Sequence, residues 1–158
     1  MKHFSFAFLL AAGLFMLGCE EQSVNPIHVG KFPGAKLLEF EGSIKNAGVA
    51  DFPANAEVKG SVLYTLRPVV LGKGATSIYD VGLETAAEVI VPSEAVGGES
   101  YSATGKSEER IELNQFGNAT LSSAYRIEGI SATAYLHIAF AADDSQLKFH
   151  KAWVSPTK

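Results

Sequence analysis

Apolar and polar residues alternate along the C-terminal segment ATLSSAYRIEGISATAYLHIAFAADDSQLKFHKAWV, residues 119–154. A period of two is typical of β-strands that bury one face. Two turn signals interrupt the alternation, Glu128-Gly129 and Asp143-Asp144, because glycine and aspartate favour tight turns. The segment therefore predicts antiparallel strands at 119–127, 130–140 and 147–154.

The two turns also predict how these strands pair. The first turn places Leu121 opposite Leu136, and the second places Phe140 opposite Leu147. A preceding strand at 109–115 completes a C-terminal meander of four strands. The pairing gathers large apolar residues on one face: Leu113, Leu121, Tyr125, Ile127, Leu136, Ile138, Phe140, Leu147, Phe149 and Trp153.

Shorter apolar runs upstream of the meander predict further strands at 36–45, 57–67 and 76–91. Residues 84–88 within the last run are predicted to form one helical turn. A sheet with one apolar face must be covered by a second layer, and the upstream strands can supply that layer. The predicted fold class is all-β, either an antiparallel β-sandwich or a small β-barrel with the C-terminal meander. The number of strands does not choose between the two.

The N-terminus has the pattern of a secretory signal. Lys2 precedes an apolar run, residues 4–17, that is shorter than the roughly 20 residues of a membrane-spanning helix. The four residues from Met16 to Cys19, MLGC, resemble the lipobox of bacterial lipoproteins, although that family usually has leucine at the position of Met16. The resemblance implies cleavage before Cys19 and attachment of lipid to its thiol. Glu20 stands where aspartate commonly marks inner-membrane retention, which favours the outer membrane.

These patterns divide the chain into a signal peptide at 1–18, a lipidated cysteine with a flexible tether at 19–35, and a single β-rich domain at 36–158. The 158 residues include 13 Lys and Arg and 17 Asp and Glu, with a formal net charge of −4. That balance gives no electrostatic footprint for binding nucleic acid. Cys19 is the only cysteine, so no disulfide can form within the chain.

Two histidines suggest a metal site. The turn at Asp143-Asp144 would make His137 and His150 direct cross-strand neighbours, with Cβ atoms about 4.5–5.5 Å apart. Two imidazoles at that distance can share a zinc or copper ion. No Cys, Asp or Glu completes the ligand set, so the alternative is two partly exposed side chains on the solvent side of a sheet. No other cofactor is indicated.

The sequence does not indicate an enzyme. Residues 104–107, TGKS, match the end of a phosphate-binding loop but lack its first glycine and a following helix. Asp143-Asp144 fits turn chemistry better than a calcium loop. The charged residues 108–110 are typical of a solvated strand edge. No Gly-x-Ser-x-Gly motif is present, and the one thiol is expected to carry lipid.

The sequence is compatible with three functions. The favoured one is a non-catalytic binding or assembly module, held on the membrane by its lipid anchor and acting on another envelope protein. The second is a carrier that encloses a small ligand within a β-barrel, for which the small inward residues Ser123, Ala132 and Ala134 would leave space. The third is a metal-binding protein that uses His137 and His150.

Overall fold

The computed structural model describes residues 34–69, 77–92, 98–130, 133–143 and 145–158. Residues 1–33 lie outside the described ranges, and with them the predicted signal peptide, Cys19 and most of the predicted tether. Ala132 and Asp144 lie outside them as well.

The described domain is built from β-strands, which confirms the all-β fold class. The strands are β1 (Lys36–Asn46), β2 (Glu57–Pro68), β3 (Ile78–Val91), β4 (Glu99–Glu112), β5 (Asn118–Arg126), β6 (Tyr135–Asp143) and β7 (Leu147–Ser155). The helical turn predicted at 84–88 is wrong, because these residues continue β3 and pair with both of its neighbours. The strand predicted at 109–115 is the end of a longer one, since β4 begins at Glu99.

The seven strands form one sheet in the order β4-β3-β2-β1-β7-β6-β5. Neighbouring strands are antiparallel except β1 and β7, which run parallel where Ile44 pairs with Ala152. The two ends of this order meet, because β4 and β5 lie side by side. The Asn114 N–H donates to the Asn118 carbonyl at 2.8 Å, and the Glu128 N–H donates to the Ser102 carbonyl at 2.8 Å. The sheet is therefore a nearly closed barrel.

The pairing of β5 with β6 differs from the prediction. Leu121 lies opposite Phe140, not Leu136, so the strands are offset by four residues. The reason is that Glu128-Gly129 is not a two-residue hairpin turn. The connection extends from Ile127 to Ala134, whose backbone groups hydrogen-bond at 2.9 Å. An even offset leaves every side chain on its predicted face, so Leu121 and Tyr125 are still buried.

The predicted pairing of β6 with β7 is also wrong, because β7 contains a β-bulge. Phe140 pairs with Phe149, whereas Ala139 pairs with Lys151, so His150 is an extra residue without a partner in the ladder. One extra residue reverses the alternation beyond it. Trp153, predicted to face the core, lies on the outer face instead.

The core fills the barrel interior. Phe40 stacks on Phe149 with ring centroids 5.4 Å apart and meets Phe140 edge to face at 5.9 Å. Phe140, Leu136 and Val154 are fully buried, and each such side chain contributes about 1.5–3 kcal/mol. This core contains side chains from both halves of the sheet.

Candidate binding surfaces

The structure separates the two histidines that sequence analysis placed together. His137 lies opposite Trp153, and the two rings are stacked at 4.8 Å between centroids with an interplanar angle of 10°. His137 Nε2 lies 2.8 Å from Ser155 Oγ and 3.1 Å from the Thr157 carbonyl oxygen. His150 is the exposed residue of the bulge. The direct opposition on which the candidate metal site depended is therefore wrong.

A metal site needs further ligands close together. Within the described ranges, no group of three or more His, Cys, Asp or Glu side chains is arranged to hold a metal ion. Asp143 is occupied in the turn after β6: one of its carboxylate oxygens accepts hydrogen bonds from the Ser145 N–H, the Ser145 hydroxyl and the Gln146 N–H at 2.8–2.9 Å. These bonds lower the pKa of the Asp143 carboxyl. The geometry agrees with turn chemistry at this position.

The TGKS segment lies inside β4 and forms no loop. A side chain at Gly105 would collide with the ring of Tyr125, 2.7 Å from the Cβ position, so glycine is required here for packing. Lys106 Nζ forms an ion pair with Glu84 at 3.1 Å. The residues that suggested a phosphate-binding loop therefore have structural roles in the sheet.

The outer face of β5, β6, β7 and the end of β1 is basic, and we call it the basic face. Its exposed cations are Lys45, Arg126, Lys148 and Lys151. Trp153 lies among them, with Lys151 Nζ 5.4 Å from the centre of its ring. None of these cations forms an ion pair within the described part of the chain. Asp143, at the end of β6, is a carboxylate at the margin of this face.

The outer face of β1 to β4 has the opposite charge, and we call it the acidic face. Its carboxylates are Glu39, Glu41, Glu57, Asp80, Glu84, Glu88, Glu108 and Glu112, which outnumber its cations Lys59, Arg67, Lys106 and Arg110. Three of those cations are already paired: Lys59 with Glu88 at 3.1 Å, Lys106 with Glu84, and Arg110 with Asp80 at 2.7 Å. The remaining carboxylates give this face its net negative charge.

The prediction that residues 108–110 form a solvated strand edge is wrong for Glu109, while Arg110 forms an ion pair on the outer face. Arg110 donates two hydrogen bonds to Asp80, at 2.7 and 3.1 Å, and this contact lowers the pKa of the Asp80 carboxyl. Glu109 is not at a solvated edge, because its side chain lies on the inward side of β4, two residues from buried Ile111. Partial burial raises the pKa of the Glu109 carboxyl.

A groove of about 1230 Å³ crosses the acidic face. Small side chains line its centre: Ser61, Ala86, Ser102 and Thr104. Leu37, Glu39 and Glu41 from β1 line one wall. Leu37 is 49% exposed, which is unusual for a large apolar side chain in this domain. A smaller groove of about 600 Å³ lies beside Arg67, Asp80 and Arg110, where ion pairs occupy part of its wall.

The inner positions expected of a ligand carrier are used for packing. Ser123 and Ala134 are buried as predicted. The hydroxyl of Ser123 lies 2.8 Å from that of Ser107, and the hydroxyl of Tyr125 lies 2.8 Å from that of Thr85. The first contact joins β4 to β5 and the second joins β3 to β5, so these buried hydroxyls have partners within the protein.

Sequence reasoning missed both charged faces. The alternation within each strand predicts which of its side chains point outward. The net charge of a face, however, depends on which strands are neighbours. The basic face exists because β1 pairs with β7, placing Lys45 beside Trp153, and because the bulge turns Trp153 outward. The change of apolar positions from odd at Leu147 and Phe149 to even at Ala152 and Val154 was a usable signal for the bulge.

In the described ranges there is no helix with the length and apolarity needed to cross a membrane. No family model matches the chain, and neither curated proteins nor solved structures show a match to it.

Proposed function

We propose that this protein is a lipid-anchored component of the bacterial envelope whose β-domain is a non-catalytic binding or assembly module. The observation that carries the proposal is the groove on the acidic face. It combines a wide opening, small central side chains and an exposed leucine, which together suit contact with another macromolecule. The lipid-anchor part rests on the lipobox resemblance at Cys19, and the outer membrane is the expected location.

The charges around the groove define the partner. Glu39, Glu41 and Glu128 line it and form no ion pair within the described ranges, whereas its one lysine, Lys59, is paired with Glu88. A partner segment with lysine or arginine would therefore find complementary charge. Ser61, Ala86 and Ser102 leave room for its side chains. We infer an extended, basic segment of another envelope protein.

The groove is better suited to binding than to catalysis. A hydrolytic site needs a nucleophile held by a base, or carboxylates set at a defined separation, in a site that excludes water. The serine and threonine hydroxyls lining the groove have no histidine among the lining residues to activate them. Its carboxylates stand on an open surface. An assembly role requires neither of those features.

The proposal is tested by photo-cross-linking in intact cells. A photoreactive amino acid replaces Ser102, which is exposed in the groove, or Thr120, which is exposed on the basic face. We expect one dominant protein adduct from position 102 and none from position 120. The adduct should disappear with Glu39→Lys/Glu41→Lys and persist with Glu108→Lys/Glu112→Lys, which changes the charge equally outside the groove. An adduct that survives the first pair would contradict the proposal.

The anchor is tested separately. Metabolic labelling with a palmitate analogue should mark the protein, and the Cys19→Ser variant should lose the label and leave the membrane fraction. An unlabelled parent protein would refute lipidation without bearing on the groove.

A further inference from the structure

Trp153 stands at the centre of the basic face and is held in a fixed position. It is the only tryptophan in the chain. The imidazole of His137 stacks on its ring at 4.8 Å, and Lys151 Nζ lies 5.4 Å from the ring centre. If the alternation that begins at Leu147 and Phe149 continued without interruption, Trp153 would face the core. Here the extra residue His150 interrupts the regular pairing and turns Trp153 outward, where its side chain is half-buried.

The cations around Trp153 form no ion pair with any carboxylate in the part of the chain that the structure describes. Lys45 pairs across from Trp153 on β1, and Arg126 and Lys148 are exposed on β5 and β7. On the acidic face, by contrast, three of the four cations are in ion pairs. Unpaired cations around an amphipathic aromatic ring are suited to a surface that offers phosphate groups above an apolar layer. Tryptophan is enriched at the boundary between membrane and water for the same reason.

We propose that the basic face docks on the anionic lipid head groups of the membrane that holds the protein. This inference rests on the proposed anchoring through Cys19. Residues 20–35 separate Cys19 from β1, and a chain of that length spans at most about 58 Å. The anchor therefore keeps the domain close to the bilayer at a high effective concentration. Docking of the basic face leaves the acidic face and its groove directed away from the membrane.

Lipid head groups fit this face better than a sugar polymer does. A sugar ring binds by stacking flat against an aromatic face, and His137 already covers one face of the indole. Phosphate groups need only charge and hydrogen-bond donors near the surface, which the lysine and arginine side chains supply. The basic face is therefore assigned to lipid head groups.

The test uses the lipidated protein reconstituted in two kinds of vesicle, phosphatidylcholine alone and phosphatidylcholine with phosphatidylglycerol. Emission from Trp153 and its quenching by aqueous acrylamide are measured in both. We expect a blue shift and reduced quenching in the anionic vesicles, and their loss at high salt. Equal emission and equal quenching in the two compositions would overturn the proposal.

Matched variants establish which face docks. Lys45→Gln/Lys151→Gln removes two cations from the basic face, and Lys59→Gln/Lys106→Gln removes two from the acidic face. Each surface cation changes the docking equilibrium by roughly fivefold, so the first pair should lower the docked-to-undocked ratio about 25-fold. The second pair should leave the ratio unchanged. An equal loss for both pairs would show attraction without a preferred face and would overturn the proposal.

Failure of the anchor gives a different result from failure of the docking. A protein that is not lipidated fails to float with neutral vesicles, which contradicts the proposed anchoring. The same protein should still float with anionic vesicles if the basic face docks. A lipidated protein that floats with both vesicles while Trp153 is equally quenched in both retains the anchor and contradicts the docking.

Discussion

Gly105 shows how a single residue determines the packing between β4 and β5. The ring of Tyr125 lies against Gly105, and the Tyr125 hydroxyl is hydrogen-bonded to that of Thr85 in the core. A methyl group at this position would meet the ring at 2.7 Å. The ring of Tyr125 therefore occupies the space that a side chain at residue 105 would need.

We expect Gly105→Ala to lower the free energy of unfolding by about 1–3 kcal/mol, the usual cost of overpacking. Gly82→Ala is the matched control, because its added methyl group meets only the terminal oxygen of the Thr65 side chain. Urea denaturation of both variants measures the difference. Equal midpoints for the two variants would contradict the assigned role of Gly105.

The partly buried carboxyl of Glu109 is expected to make the stability of the fold depend on pH. Its carboxyl has a raised pKa in the folded protein because burial disfavours the charged form. The folded state therefore binds a proton more readily than the unfolded state, and stability falls as the pH rises from the unfolded pKa through the folded one. Glu109→Gln removes this loss.

The urea midpoint of Glu109→Gln should exceed that of the parent at pH 7, and the gain should vanish below the ordinary glutamate pKa. Glu108→Gln, on the exposed side of β4, should show no such gain. A gain that persists unchanged at low pH would point to packing and would contradict the electrostatic explanation.

The bulge in β7 is the element that decides what the C-terminal strand presents on each side. With His150 in place, Ala152 and Val154 face the core while Lys151 and Trp153 face outward. Without an extra residue the alternation beyond Phe149 would be reversed.

Deletion of His150 should therefore cost at least about 3 kcal/mol, because it exposes two core side chains and forces Trp153 inward. His150→Ala keeps the bulge and should change the free energy of unfolding by less than about 0.5 kcal/mol. Urea denaturation followed by Trp153 emission compares them. A deletion variant as stable as the parent would contradict the assigned role of the bulge.

Strand positions were largely predictable, because alternation at residues 36–45, 57–67, 119–127 and 147–154 reports burial on one face. Their pairing was not. The residues Glu128-Gly129 carry a hairpin signal, but the chain continues to Ala134 before β6 begins its ladder, and local turn chemistry does not encode that length. The predicted opposition of His137 and His150 is wrong for a related reason, because the bulge in β7 changes the register on which it depended.

At the scale of the whole molecule, the order of strands separates charge onto two faces. The formal net charge of −4 conceals this division, because the acidic face and the basic face largely cancel. Composition alone therefore could not predict either surface. The parallel pairing of β1 with β7, which joins the two halves of the sheet, was also beyond local sequence patterns.

Occupancy of the groove in living cells tests the proposed binding role most directly. Cys19 is the only native cysteine and is expected to carry lipid, so a single introduced thiol can be followed with a hydrophilic maleimide. Ser102→Cys places it in the groove, and Glu112→Cys places it on the same face beyond the groove. We predict slow labelling at position 102 that becomes fast with Glu39→Lys/Glu41→Lys, and fast labelling at position 112 in both backgrounds. Labelling at position 102 that is equally fast with and without the charge reversal would contradict a partner bound in the groove.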